Sequence, residues 1–567
     1  MSPRVDPSAA YVRRPTAAAG VLRLDSNEGP QAPPALLAEL AALDPEVLRR
    51  YPDATALETA LAARVGVSAE RVVVTAGADE ALDRICRAYA GPDRPVLLPE
   101  PTFDMLERFA ALAGAPLVRV PWLTDVFPLE EILARLDSRT AIVVIVSPNN
   151  PTGAVASRAD LRRIAAAAPQ SLVLIDQAYI EYADEGFDPA VLDLANVVVV
   201  RTMSKAWGLA GCRVGYAIGS SDVIAVLRAA GGPYPVAGPS LALALAQLSR
   251  GDAALRAHVT QVRAERAELR ELLCTRGVNA GASQANFVLA DVGRRAAFVR
   301  DGLRGRGILV RGFPGRAGLE TSLRITLPGD PADFERLTTA LDTLLAPQAI
   351  VFDLDGVLAD VRASQRAAMI ETAATHGVTL TMSDIEGALR GGDAANDWIV
   401  TQRLIAARGG QTDLGSVTAC YQALYLGTGD SPGLREQERL IASRALLERL
   451  ARQLPLAVVT GRPREEARWF LERAGIADLF GAVVCMEDAA RKPDPAPVRL
   501  ALTRLGVRRA WMVGNTPDDV RAAAGAGVVP LGIVAPGDDL SATAAALADA
   551  GAARVLDQLA DLEELLP

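Results

Sequence analysis

Short runs that are apolar at every position recur along the chain: Val72–Val74, Val96–Leu98, Ala141–Val146, Leu172–Ile175 and Val197–Val200. Helix-length stretches rich in Ala, Leu and Arg separate them. A strand apolar at every position is covered on both faces, as in a parallel sheet flanked by helices. A second series follows at Ala349–Phe352, Leu456–Val459, Ala482–Cys485 and Trp511–Val513. Between the two series Phe334–Leu345 reads as a helix, and Ala346-Pro347-Gln348 breaks it. The pattern predicts an α/β protein of two grafted parts, 1–345 and 349–567, joined by a linker at 346–348. The residues that end the strands differ in kind between the halves, so no internal repeat links them.

The chain has 567 residues, enough for roughly two to four domains. With 50% hydrophobic and 22% charged residues it is a globular chain and not a disordered one. A net charge of −9, with no basic stripe interleaved with aromatics, argues against nucleic acid as a partner. No stretch approaches twenty uncharged apolar residues, and Met1–Gly20 carries three Arg without the apolar core of a signal peptide, so a cytoplasmic protein without a membrane partner is expected. Cys86, Cys212, Cys274, Cys420 and Cys485 show no metal or redox spacing, and His258 and His376 stand too far apart for a metal motif. Thiol and imidazole chemistry therefore drop out.

Of the 59 basic residues only Lys205 and Lys492 are lysines. Arg serves wherever a positive charge suffices, so these two positions are candidates for chemistry that needs an amine. In open parallel sheets ligands sit beyond the carboxyl ends of the strands. There the first half places Thr75-Ala76-Gly77-Ala78-Asp79-Glu80 leading into a helix, Ser147 to Gly153, Asp176 with Tyr179, and Arg201 to Lys205 followed by Arg213. Singly, each of these is a common structural turn or strand end. Together, an amine, a strand-end aspartate, and hydroxyls with helix N–H groups for a phosphate match the needs of pyridoxal 5'-phosphate.

From Leu22 to Leu345 the sequence resembles the fold-type I aminotransferases, most closely the histidinol-phosphate branch. The similar segments are Leu24 to Glu28, Arg50 to Asp53, Gly77 to Glu80, Ser147 to Gly153, Ser204 to Gly211 and Ala285-Asn286-Phe287. The resemblance implies a large domain over about 50–225, with a small domain built from both flanks. It implies that Lys205 binds the cofactor and carries the substrate proton, and that Asp176 holds the ring nitrogen protonated. Asn150 and Tyr179 would bond the ring oxygen, and Phe103 would stack on the ring. Ala78, Asp79, Thr202, Ser204 and Arg213 would hold the cofactor phosphate. Tyr51 matches a residue donated by a neighbouring subunit, which implies a homodimer. Arg324 and Arg311 fit the arginines that anchor the substrate. Gln177 replaces the Glu that often follows the aspartate.

In the second half Asp353-Leu354-Asp355-Gly356 closes an apolar strand; alone, such a segment is also compatible with a turn or a calcium loop. The later strand ends supply Thr460-Gly461, Lys492-Pro493 with Asp494, and Gly514 to Asp519. This order resembles the haloacid-dehalogenase superfamily from Ala349 to about Leu566, a Rossmann-like core with a helical cap at about 361–449. By that resemblance Asp353 is the nucleophile, Asp355 the general acid and base, and Thr460 and Lys492 bind phosphoryl oxygens. Mg²⁺ would be held by Asp353, the Asp355 carbonyl, Asp519 and position 515, which is Asn where the superfamily usually has Asp. The Gly391–Trp398 turn reads as a helix cap, with a place in the site as the alternative.

The expected function is a bifunctional enzyme of histidine synthesis. The first half would move an amino group from glutamate to imidazole-acetol phosphate, giving 2-oxoglutarate, and the second would hydrolyse the phosphorylated product. Two alternatives stand beside it: a non-catalytic or regulatory second half, suggested by Asn515, and a secondary-metabolism pair acting on another phosphorylated ketone.

Overall fold

The computed structural model describes residues 20–392, 396–429 and 431–566. The chain divides into two compact units, 1–293 with 309–336, and 294–308 with 337–567. Among the described residues no helix is long and apolar enough to cross a membrane.

The main sheet of the first unit has seven strands. In spatial order they are Val72–Ala76, Val214–Ile218, Val197–Thr202, Leu172–Asp176, Ile142–Val146, Val96–Glu100 and Leu117–Pro121. Six run parallel, and Val214–Ile218 runs against both of its neighbours. All five expected strands form, while Val214–Ile218 and the edge strand Leu117–Pro121 are additions. The run Ile142–Val146 shows why the strands are apolar throughout. Val143 and Ile145 enter one core, and Ile142, Val144 and Val146 enter the core on the opposite face. Polar groups are thereby excluded from the strand bodies and gather where the strands end. A smaller antiparallel sheet orders Leu22–Leu24, Ile308–Gly312, Ser322–Thr326, Phe287–Asp291 and Asn279–Ala280.

The second unit carries a parallel six-stranded sheet in the order Phe480–Val484, Leu456–Val459, Ile350–Phe352, Trp511–Gly514, Val529–Ile533, Arg554–Leu556. Ile350–Phe352, first in the chain, lies centrally between Leu456–Val459 and Trp511–Gly514. The strand order reverses at its end, which is where open sheets of this type bind ligands. Between the first two strands come the helices Ala367–Thr375, Met382–Arg390, Asp397–Ala407 and Leu414–Leu426, the expected cap. Trp511 is fully buried, its indole N–H donates to the Thr343 carbonyl at 3.1 Å, and its ring meets that of Phe298 edge-on at 5.1 Å. These contacts explain why 294–308 and the end of the helix Pro331–Leu345 belong to this compact unit, although both precede the linker in the sequence.

Candidate active sites

Lys205 follows the strand Val197–Thr202, and its ammonium donates to the Ser26 carbonyl at 3.1 Å. Burial, with Arg324 nearby, pulls its pKa down to about 8, against the opposing charges of Glu28 and Asp79. Asp176 ends its strand fully inside the protein and accepts the Ala178 N–H at 3.0 Å. Burial pushes its carboxyl up to about 7, Asp79 adds to the shift, and Lys205 opposes it. Tyr179 accepts a hydrogen bond from the Asn27 amide at 3.0 Å. Asn150 Oδ1 accepts from Arg324 at 2.6 Å, and Arg324 also donates to the Asp25 carbonyl at 2.8 Å.

These side chains line one cavity of about 230 Å³, together with Ala78, Asp79, Phe103, Thr202, Ser204, Arg213 and Arg311. The helix Gly77–Tyr89 points its N-terminus, with Ala78 and Asp79, at this cavity. Gly77 has φ +78°, and a Cβ there would lie 2.5 Å from the Arg213 guanidinium. A Cβ on Gly215 would lie 2.4 Å from the Ala78 nitrogen, so backbone meets backbone at the helix start. Arg213 reaches Asp79 at 3.2 Å, and the Thr202 hydroxyl donates to Ser204 at 2.9 Å. All the expected cofactor residues thus converge except Tyr51. That side chain is exposed, lies outside its own chain's cavity and stacks on Tyr234 at 4.6 Å. Arg316 is an addition to the expected set: it lines the cavity, donates to the Thr102 carbonyl at 2.8 Å and pairs with Asp104. Of the excluded histidines, His258 packs beside the Tyr182 hydroxyl, and burial lowers its pKa to about 4.

In the second unit Asp353 follows the central strand. Lys492 donates to Asp353 at 2.8 Å and to Asp519 at 2.5 Å, bridging the two carboxylates. Burial and the Asp519 charge push the Asp353 carboxyl up, while the two carboxylates raise the Lys492 ammonium above its usual value. Thr516 caps the helix Pro517–Gly525, and Asp519 accepts from the Thr516 N–H and hydroxyl, which fixes its rotamer. Asn515 is 8% exposed, and its Oδ1 accepts no hydrogen bond among the described residues. Asp353, Asp355, Thr460, Lys492, Asn515 and Asp519 line a single cavity. Among the described residues no three His, Cys, Asp or Glu side chains converge as a metal site.

Arg462, two residues beyond Thr460, was not singled out in the sequence. Its side chain is buried and donates to Asp355 at 2.7 Å, to Glu438 at 2.9 Å and to the Tyr425 hydroxyl at 3.0 Å. Ser364 and Tyr425 donate in turn to Glu438, whose side chain is fully buried. One guanidinium thus ties the acid–base candidate Asp355 to a cap helix and to the chain returning from the cap. The Gly391–Trp398 turn combines both readings made of it. Asn396 caps the helix Asp397–Ala407 through the Trp398 N–H at 2.7 Å, and Asn396, Asp397 and Trp398 line the cavity. Residues 393–395 of that turn lie outside the described residues.

Removing Arg462 leaves Glu438 charged and buried without its cation, a loss of about 3–5 kcal/mol. Arg462→Met should therefore lower the urea midpoint of the second unit's unfolding. Arg462→Met combined with Glu438→Leu should recover part of the loss; strictly additive losses in this double-mutant cycle would contradict the network.

Residues 18–341 match the family of class I and II aminotransferases, and 347–527 match the haloacid dehalogenase-like hydrolases. A histidinol-phosphate aminotransferase of Ruegeria sp. (strain TM1040) is 38% identical over 324 residues, covering 55% of this chain and 88% of that protein. The crystal structure of histidinol-phosphate aminotransferase from Sinorhizobium meliloti in complex with pyridoxal-5'-phosphate is 27% identical. It superposes with a TM-score of 0.52 over 57% of this chain and 89% of its own. An imidazoleglycerol-phosphate dehydratase of Phytophthora nicotianae is 44% identical over 197 residues, which is 33% of this chain and 44% of that protein. With Lys205 and Asp176 facing one cavity and Asp353 and Lys492 another, this chain belongs to the class I and II aminotransferases and carries a haloacid dehalogenase-like hydrolase domain behind the aminotransferase domain.

Proposed function

We propose that the first domain transfers an amino group from glutamate to imidazole-acetol phosphate, giving L-histidinol phosphate and 2-oxoglutarate, and that the second hydrolyses the product to L-histidinol. The observation that carries this reading is the opposite setting of the two lysines. Lys205 is buried with a backbone carbonyl as its hydrogen-bond acceptor, and its pKa is pulled down to about 8, which suits a proton carrier, whereas Lys492 bridges two carboxylates and stays cationic, which suits a group that binds phosphoryl oxygens.

The first cavity's donors fit pyridoxal 5'-phosphate: a buried amine, a buried strand-end carboxyl, two hydroxyls, an Arg and a helix N-terminus. That cofactor, when bound, supplies an electron sink for the substrate carbanion. Lys205 Nζ takes the proton from the substrate carbon and returns it. Asp176 would hold a proton on the ring nitrogen, and Asn150 and Tyr179 would bond the ring oxygen. Phe103 would wall the ring, and Ala78, Asp79, Thr202, Ser204 and Arg213 would take the cofactor phosphate. Arg324 and Arg311 grip the substrate's anion as forks. The outward position of Tyr51 supports a homodimer in which it completes the second copy's cavity. Five free cysteines suit the reducing cytoplasm.

In the second domain Asp353 attacks phosphorus while the bond to the leaving oxygen breaks. Asp355 protonates that oxygen and then takes a proton from the water that releases phosphate. Thr460 and Lys492 bind the phosphoryl oxygens. The orphaned Asn515 Oδ1, in the cavity that Asp353 and Asp519 also line, fits Mg²⁺; these residues with the Asp355 carbonyl would hold the ion, which would neutralise developing charge. Asn515 favours one second reading, a hydrolase domain without turnover of its own.

Lys205→Ala should abolish transamination and leave phosphate release from L-histidinol phosphate, whereas Asp353→Asn should do the reverse. Loss of both activities in either variant would contradict two independent sites. Asn515→Asp restores a charged oxygen ligand and should lower the half-saturating Mg²⁺ concentration by about tenfold. Phosphate release seen only in that variant would establish the second reading.

A further inference from the structure

The cavity in front of Asp353 runs on into the cap, where its wall changes character. Trp398, Tyr421 and Met369 form one part of it, and two carboxyl groups, Asp397 and Glu466, stand beside them. The Tyr421 hydroxyl donates to Asp397 at 2.9 Å, and the Gln422 amide donates to Glu466 at 3.0 Å. The neighbouring acids Asp355, Glu438 and Asp538 each pair with a guanidinium. Among the described residues Asp397 and Glu466 have only these neutral donors. Burial pushes both carboxyls up, Asp397 to about 6, and the charge of Asp355 adds to each shift, while Arg462 opposes both shifts and Arg366 that of Asp397.

Among the described residues neither guanidinium forms a salt bridge with these two acids; Arg462 is bonded to Asp355 and Glu438, and Arg366 to Asp538. A half-desolvated carboxylate without a direct ion pair gains more from an arriving cation than an exposed one does. An aromatic wall suits the same guest, because a ring face attracts a cation and stacks on a flat heterocycle. At the catalytic end of the same cavity the buried Asn515 oxygen, already assigned to Mg²⁺, is also unpartnered among the described residues. The two ends differ in kind, an amine with a carboxylate pair at one and two acids bonded only to neutral donors at the other.

We propose that Asp397 and Glu466 bind the leaving group of the second domain's substrate and select phosphate monoesters whose alcohol carries a protonated amine. This rests on the reading of that domain as a phosphatase and adds an order to it. An ester whose amine is not yet installed offers these acids no ammonium, so its phosphate is released more slowly than that of the aminated ester.

The test measures Mg²⁺-dependent phosphate release by the full-length protein from 2-aminoethyl phosphate and 2-hydroxyethyl phosphate, which differ only at the amine. The expected result is a kcat/KM at least about tenfold higher for the amine. Asp397→Asn and Glu466→Gln, assayed separately, should each shrink that ratio through KM. Equal turnover of the two esters, or a ratio that neither variant alters, would overturn the selectivity alone. Release from neither ester would overturn it together with the phosphatase reading.

Discussion

Burial of an amine at the end of a parallel strand is the constraint on which both sites depend. A sheet covered on both faces leaves no place for charge except beyond its strand ends, and each half of this chain puts one of its two lysines there. Their surroundings then decide what each can do. Lys205 has Arg324 nearby and a backbone carbonyl as its hydrogen-bond acceptor, so desolvation wins and lowers the ammonium's pKa to about 8. Lys492 lies between Asp353 and Asp519, whose charges outweigh the same desolvation and hold it cationic. Arg at either position would lose this distinction, because a guanidinium stays charged in both settings.

The elements that bear these groups were legible in the sequence because burial on two faces writes itself as unbroken apolar runs. The residues just past those runs were legible for the same reason, since polarity had nowhere else to go. Val214–Ile218 escaped notice because Gly215 and Tyr216 interrupt its apolar run, and Leu117–Pro121 because an edge strand carries Arg119 and ends in Pro. Arg462 could not be found by spacing. Its partners Asp355, Glu438 and Tyr425 lie 107, 24 and 37 residues away, and only the fold brings them together. Arg316 and Glu466 were hidden in the same way, as ordinary charged residues in a chain full of them.

The cavity of the second domain has two ends built on different elements. Its catalytic end is assembled on the sheet, where strand ends and the capped helix Pro517–Gly525 fix Asp353 and Asp519. Its far end is assembled on the cap, and Arg462 joins the two through Asp355. Arg462 thereby couples the position of Asp355 to Glu438 and to Tyr425 on the helix Leu414–Leu426.

The central claim is that one chain performs two consecutive steps at two separate sites. It is tested most directly by incubating the full-length protein with imidazole-acetol phosphate, glutamate, pyridoxal 5'-phosphate and Mg²⁺, and following the products by mass spectrometry over time. L-histidinol appearing after a transient of L-histidinol phosphate is the predicted result. Accumulation of L-histidinol phosphate without L-histidinol, or an unchanged phosphorylated ketone, would contradict the claim.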